Sequence, residues 1–125
     1  CAGLVMLAKS VVEGDQPLLG LMEIEARRNA FGRQVKSFEA PLDIPAIGAE
    51  PFPGVFIRAP WIESAAADVE ILARHDGYPV AARQGNMLVT AFHPELTDDI
   101  RLHQYFLEMA AAANFSPPLS RSQGT

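Results

Sequence analysis

An α/β fold is what these 125 residues predict, on three observations. Apolar residues recur at helical spacing near each end of the chain, short runs with strand character lie between them, and glycine- and proline-bearing segments separate those runs. The length suits a single domain with a real core. A composition of 49% hydrophobic and 20% charged residues is that of an ordinary globular protein rather than a disordered chain.

Across residues 2–12, Leu4, Val5, Leu7, Ala8, Val11 and Val12 cover the wide apolar arc expected of a helix buried between a sheet and another layer. Gly14-Asp15 ends it. Residues 18–24 form a short apolar run whose length favours a buried strand. Residues 27–34 read as a polar, glycine-containing loop. Residues 34–39 are weakly strand-like, and Pro41, Pro45, Pro51 and Pro53 then argue against regular structure across the connection that follows. Residues 54–58 form the next strand, closed by Pro60. Residues 69–72 and 78–83 are further strands, and Gly85-Asn86 turns the chain into 87–92 as an antiparallel hairpin.

Met87, Val89, Ala91, His93 and Glu95 share parity on that last run, so one strand face is expected to carry packing and then two polar groups at its end. Thr97 is the expected cap of the following helix, with Asp98 and Asp99 against the positive end of its dipole. The helix itself is marked by Leu102, Tyr105, Phe106, Met109, Ala110 and Ala113 at amphipathic spacing. Residues 1–113 are thus expected to form one domain, and 114–125, with Ser116-Pro117-Pro118, a mobile tail. Residue 1 stands at the start of a helical pattern with no strand ahead of it, which reads as a longer chain entered in its middle.

The net charge of −5 provides no electrostatic footprint for nucleic acid or an anionic membrane surface. A small ligand fits better. The apolar runs fall far short of the ~20 residues that span a bilayer. A single cysteine cannot form an internal disulfide, so a reducing, cytoplasmic setting is expected. No cluster has metal-ligand spacing, and the glycines form neither a phosphate loop nor a dinucleotide fingerprint, so no cofactor is expected.

Two features carry possible chemistry. Cys1-Ala2-Gly3 has the form of the second half of a nucleophile elbow, where a helix N-terminus favours thiolate over thiol. His93-Pro94-Glu95 sets a carboxylate two residues from an imidazole that it could orient, as the base of a cysteine nucleophile requires. Each also has a plainer reading: a lone cysteine is often a buried small hydrophobe, and exposed strand ends often carry a His-x-Glu pair. His75 and His103 have no orienting neighbour at suitable spacing and read as non-catalytic. Arg28, Arg33 and Arg58 stand at loop or strand-end positions, where a guanidinium is either a solvated charge or a clamp for a ligand carboxylate.

A family resemblance rests on five strings: Cys1-Ala2-Gly3-Leu4; Arg28-Asn29-Ala30-Phe31-Gly32-Arg33-Gln34-Val35 with Ser37-Phe38-Glu39; Gly54-Val55-Phe56-Ile57-Arg58-Ala59-Pro60; Val80-Ala81-Ala82-Arg83-Gln84-Gly85; and Phe92-His93-Pro94-Glu95-Leu96-Thr97. In these the chain resembles the class I glutamine amidotransferases, and among them the glutaminase subunits of pyridoxal 5′-phosphate synthase, over nearly its whole length to Met109. The resemblance implies a three-layer, flavodoxin-like α/β sandwich. It implies Cys1 as nucleophile, His93 as general base and acid, Glu95 as the orienter of His93, the Ala2 N–H as an oxyanion donor, and Arg28, Ile57 and Arg58 as contacts to substrate L-glutamine.

It further implies a partner, the synthase subunit, which takes the released ammonia to build the vitamin B6 ring from ribose 5-phosphate and glyceraldehyde 3-phosphate. The family's strand-rich amino-terminal half, with its Gly-Gly-Glu-Ser motif, has no counterpart in these residues. The chain alone is therefore expected to be inactive and poorly stable. Two rival expectations stand beside this one: an N-terminal-nucleophile amidotransferase using the α-amine of Cys1 as base, and a non-catalytic half that serves only for docking.

Overall fold

The computed structural model describes residues 2–12, 17–28, 31 and 37–114. Two helices and eight strands follow in the order α1 (Ala2–Leu7), β1 (Ala8–Val11), β2 (Met22–Arg27), β3 (Ser37–Leu42), β4 (Phe52–Ile57), β5 (Trp61–Ala65), β6 (Glu70–His75), β7 (Tyr78–Gln84), β8 (Met87–Thr90) and α2 (Arg101–Asn114). Short 3-10 turns at Pro45–Ile47 and Pro94–Leu96 precede β4 and α2. The strands form three small sheets, β1-β2-β5, β3-β4 and β6-β7-β8. Among the described residues, β1 and β2 are the one pair that runs parallel.

The first helix is shorter than its apolar pattern predicts. Leu4, Val5, Ala8 and Val11 are all buried, which is why the run reads as helical to residue 12. After Leu7, however, the chain extends, and Val12 N–H donates to the Ala26 carbonyl at 2.8 Å. Pairing with β2 thus supplies the backbone bonds that another helical turn would have made, and the β-branched Val11 and Val12 accept the extended form readily. Gly14-Asp15 lies outside the described residues. The next strand begins later than expected, at Met22, because Gly20 turns the chain with φ 64°. It also runs on to Arg27, which the sequence had placed in a loop.

Pro41 and Pro53 do not prevent regular structure. They stand directly opposite each other in the antiparallel β3–β4 pair. The reason is visible one pleat away, where the Val55 carbonyl accepts the His93 N–H at 2.8 Å and so points away from β3. Backbone groups two residues apart on a strand point the same way, so position 53, like 55, is a non-hydrogen-bonded site where no ladder donor is lost.

Trp61–Ala65 is a strand the sequence did not reveal, hidden between Pro60 and a polar, alanine-rich stretch. The hairpin through Gly85-Asn86 is as expected, with Gly85 at φ 61°, but β8 stops at Thr90. A second tight hairpin joins β6 to β7 through Asp76 (φ 51°) and Gly77 (φ 84°).

Around Phe52, Phe56, Phe92, Leu4, Met22, Leu42, Ile44, Ile62 and Val80, all almost wholly buried, the three sheets and α1 share one core. The cap of α2 differs from expectation. The Thr97 hydroxyl accepts the Asp99 N–H at 3.3 Å, and it is the Asp99 carboxylate that accepts the Arg101 N–H at 3.1 Å. Arg101 also grips Asp99 at 2.7 Å and donates to the Glu50 and Pro51 carbonyls, tying the helix to the approach to β4.

Gly54 is buried under Leu42, and a Cβ there would stand 2.7 Å from Leu42 Cδ1 and 3.0 Å from the Phe56 ring. Both neighbours are locked in the core. Gly54→Ala is accordingly expected to destabilise the fold by ~1–3 kcal/mol, read as a lower denaturant midpoint at unchanged m-value.

Candidate active site

His93 lies beyond the end of β8. The chain bends at Ala91 and Phe92, and His93 begins the Pro94–Leu96 turn rather than extending β8. The expected strand-face parity of His93 and Glu95 is therefore not the cause of their meeting. The 3-10 turn folds Glu95 back so that its Oε2 lies 2.8 Å from His93 Nδ1. Two backbone devices hold the imidazole in place. One is the His93 N–H to Val55 carbonyl bond, and the other is the Thr90 hydroxyl donating to the Phe92 carbonyl at 2.9 Å.

The hydrogen bond from His93 holds the Glu95 carboxyl below its ordinary value, with its own backbone adding to the effect. An ionised carboxylate only accepts, so Nδ1 is the donor and the neutral ring carries its lone pair on Nε2. The His93 side chain is 28% exposed and that of Glu95 58%. Both side chains are thus partly solvated.

The Val55 carbonyl that receives His93 lies on the outer edge of β4. Ile57, two residues on, turns its backbone groups to that same edge, so the end of β4 and the imidazole are neighbours. Arg58 follows with φ 45°, a left-handed conformation uncommon for a non-glycine residue, and the chain swings from β4 toward Trp61. Trp61 pairs with Arg27, the residue before Arg28. The exposed Arg28 and Arg58 thus flank the same end of the β2–β5 pair.

Cys1 and Arg33 lie outside the described residues. Ala2 opens α1, which packs on β2 and on β8, the strand leading to His93. His103 is exposed on α2. His75 stands among the rings of Phe31, Phe38 and Phe56 at 5.4–5.5 Å. Among the described residues, no group of three His, Cys, Asp or Glu side chains could hold a metal ion.

Glu63 is a site feature that sequence reasoning missed. It accepts both Arg27 Nε and Trp61 Nε1 at 2.9 Å, bracing the strand end that leads to Arg28. Only the spacing of Trp61 and Glu63 on one strand face could have signalled it.

The model of the SNO glutamine amidotransferase family matches residues 1–112. The chain belongs to that family. Among its relatives are the pyridoxal 5′-phosphate synthase subunit PdxT of Pelotomaculum thermopropionicum, 58% identical over 113 residues, and that of Moorella thermoacetica, 58% identical over 109. These matches take in 90% and 87% of this chain and 58% of each relative.

A solved structure described as "Crystal structure of glutamine amidotransferase" matches with a TM-score of 0.82 at 53% identity, over 89% of this chain and 58% of that one. The α/β fold of this family member is therefore of the glutamine amidotransferase type. The chain spans about three fifths of the length of these relatives.

Proposed function

We propose that this chain carries the nucleophile, base and orienter of a glutaminase that hydrolyses L-glutamine to glutamate and ammonia, the ammonia passing to a pyridoxal 5′-phosphate synthase subunit. The observation that carries the reading is the His93–Glu95 pair at 2.8 Å beside the end of β4, in a chain whose PdxT relatives are named as subunits of that synthase. Cys1 is assigned as the nucleophile. Arg28, Ile57 and Arg58 hold the substrate, and the Ala2 N–H is one donor to the oxyanion.

In this mechanism the Cys1 thiolate attacks the carboxamide carbon, and the carbonyl oxygen takes the negative charge. Protonated at Nε2, His93 gives its proton to the departing nitrogen as the C–N bond breaks, releasing ammonia and leaving a thioester. Neutral again, it takes a proton from water as the water attacks the thioester carbon. Collapse of that second intermediate breaks the C–S bond, releasing glutamate and restoring the thiolate. Glu95 holds the ring in the tautomer that serves both steps. A nucleophilic thiol has to stay reduced, which suits a cytoplasmic setting.

The deciding experiment follows glutamine conversion to glutamate in the full natural polypeptide, with and without synthase. Cys1→Ala is expected to abolish hydrolysis while the synthase still binds. Unchanged turnover in that variant would remove the nucleophile assignment. Absence of hydrolysis by the unsubstituted protein, even with synthase, would instead favour a docking role.

A further inference from the structure

Between β2 and β3 the described residue Phe31 packs against the core, and its setting is unusually complete. The ring meets Trp61 of β5 at 5.1 Å and 90°, Phe38 of β3 at 5.3 Å and 70°, and Phe56 of β4 at 5.7 Å and 64°, with His75 of β6 at 5.5 Å. Its contacts with Trp61, Phe38 and Phe56 are all edge-on, the arrangement that aromatic quadrupoles favour. Behind it, Phe38 and Phe56 stack at 4.7 Å and Trp61 lies flat on Tyr78. Strands from all three sheets thus build a rigid socket for a residue that belongs to no regular element.

Phe31 is three residues beyond Arg28, which caps the reach between their Cα atoms at about 11 Å. On its other side Arg28 is fixed by Arg27, which is in register with Trp61 and paired to Glu63 at 2.9 Å. Trp61 also donates to Glu63, so one tryptophan touches both anchors.

We infer that Phe31 is a positioning residue for substrate: seated in the socket formed by Phe38, Phe56, Trp61 and His75, it fixes the chain three residues beyond Arg28 and so holds Arg28 where a ligand carboxylate is received. This rests on the proposed role of Arg28 as a glutamine contact. Phe31 itself touches no substrate. Its action is to settle in advance the freedom that the arginine would otherwise lose on binding.

The test is steady-state glutamine hydrolysis by the full polypeptide with synthase present. Phe31→Ala is expected to raise KM about tenfold while kcat stays within about twofold, because the bond-making groups are elsewhere. Phe31→Leu, which keeps most of the buried volume, is expected to fold normally and raise KM about threefold. In an Arg28→Ala background, Phe31→Ala should add less than about twofold, since a residue acting through Arg28 has nothing left to position.

Trp61 is the one tryptophan of these 125 residues, so a change in tryptophan emission between the parent polypeptide and its Phe31 variants, recorded without synthase, reports the emptied socket. Additive KM effects in the double variant, or an unchanged KM in both single variants, would overturn the inference while leaving the glutaminase reading intact. If the unsubstituted protein hydrolyses no glutamine, both fall together.

Discussion

Replacing His93 by alanine is expected to reduce kcat for glutamine hydrolysis by ~10³-fold or more, because in the proposed mechanism the same ring protonates the leaving nitrogen and deprotonates the attacking water. KM should change little, since the imidazole works on the bonds being broken rather than on the parts of glutamine that Arg28 and Arg58 are proposed to hold. Glu95→Gln tests the layer behind it. The amide can offer a donor to Nδ1 where the carboxylate could only accept, which admits the wrong tautomer, and a loss of ~10²-fold is expected.

The pH dependence of the pairing follows from the lowered Glu95 value. A carboxyl whose folded value is depressed keeps its pairing above the ordinary glutamate value of 4.5 and loses it as pH falls through the lowered one. Glu95 is therefore expected to stay ionised and paired through the neutral and mildly acid range and to lose that pairing only below pH 4.5, as a titration of its carboxyl followed by NMR would read; a carboxyl that protonates above 4.5 would remove the pairing.

The largest expected loss of stability is from Phe56→Ala. Phe56 has no exposed surface and lies where three sheets converge, stacked on Phe38 and in contact with Phe31, Phe92 and His75. Removing the ring leaves a cavity that rigid strands cannot collapse around, at a cost of about 3–5 kcal/mol. In a domain of this size that corresponds to a fall in Tm of roughly 10 °C or more, measurable by calorimetry on the full polypeptide. Phe56 also neighbours Val55, which receives the His93 N–H. Activity at a temperature where the variant is still folded should therefore drop too, a coupling that a remote core substitution would not produce.

Much of this was legible in the sequence, and the exceptions share a cause. The two helices, the β7–β8 hairpin and the meeting of His93 with Glu95 follow from spacing and turn chemistry that act over a few residues. Where the reading failed, a distant partner decided the local form. Ala8–Val11 is extended because β2 offers it a ladder, and Trp61–Ala65 is a strand because β2 pairs with its other side. The prolines looked like breakers because their opposition across β3 and β4 cannot be seen one segment at a time.

At the site, the pairing of His93 with Glu95 was legible in their spacing, for a partly wrong geometric reason. The contact comes from a 3-10 turn rather than from strand parity. Phe31 was quoted in a motif but given no role, because nothing in a polar loop announces that four elements have built a socket for its ring.

The facing pair Pro41 and Pro53 has one more effect. At a non-hydrogen-bonded position each residue would normally aim its N–H outward, so two prolines there remove an outward donor from both margins of the ribbon at the same level. On the β4 margin the next outward carbonyl, that of Val55, is already taken by His93. A neighbouring strand seeking to extend this ribbon in the folded protein therefore meets one donor fewer on each margin and one acceptor already engaged.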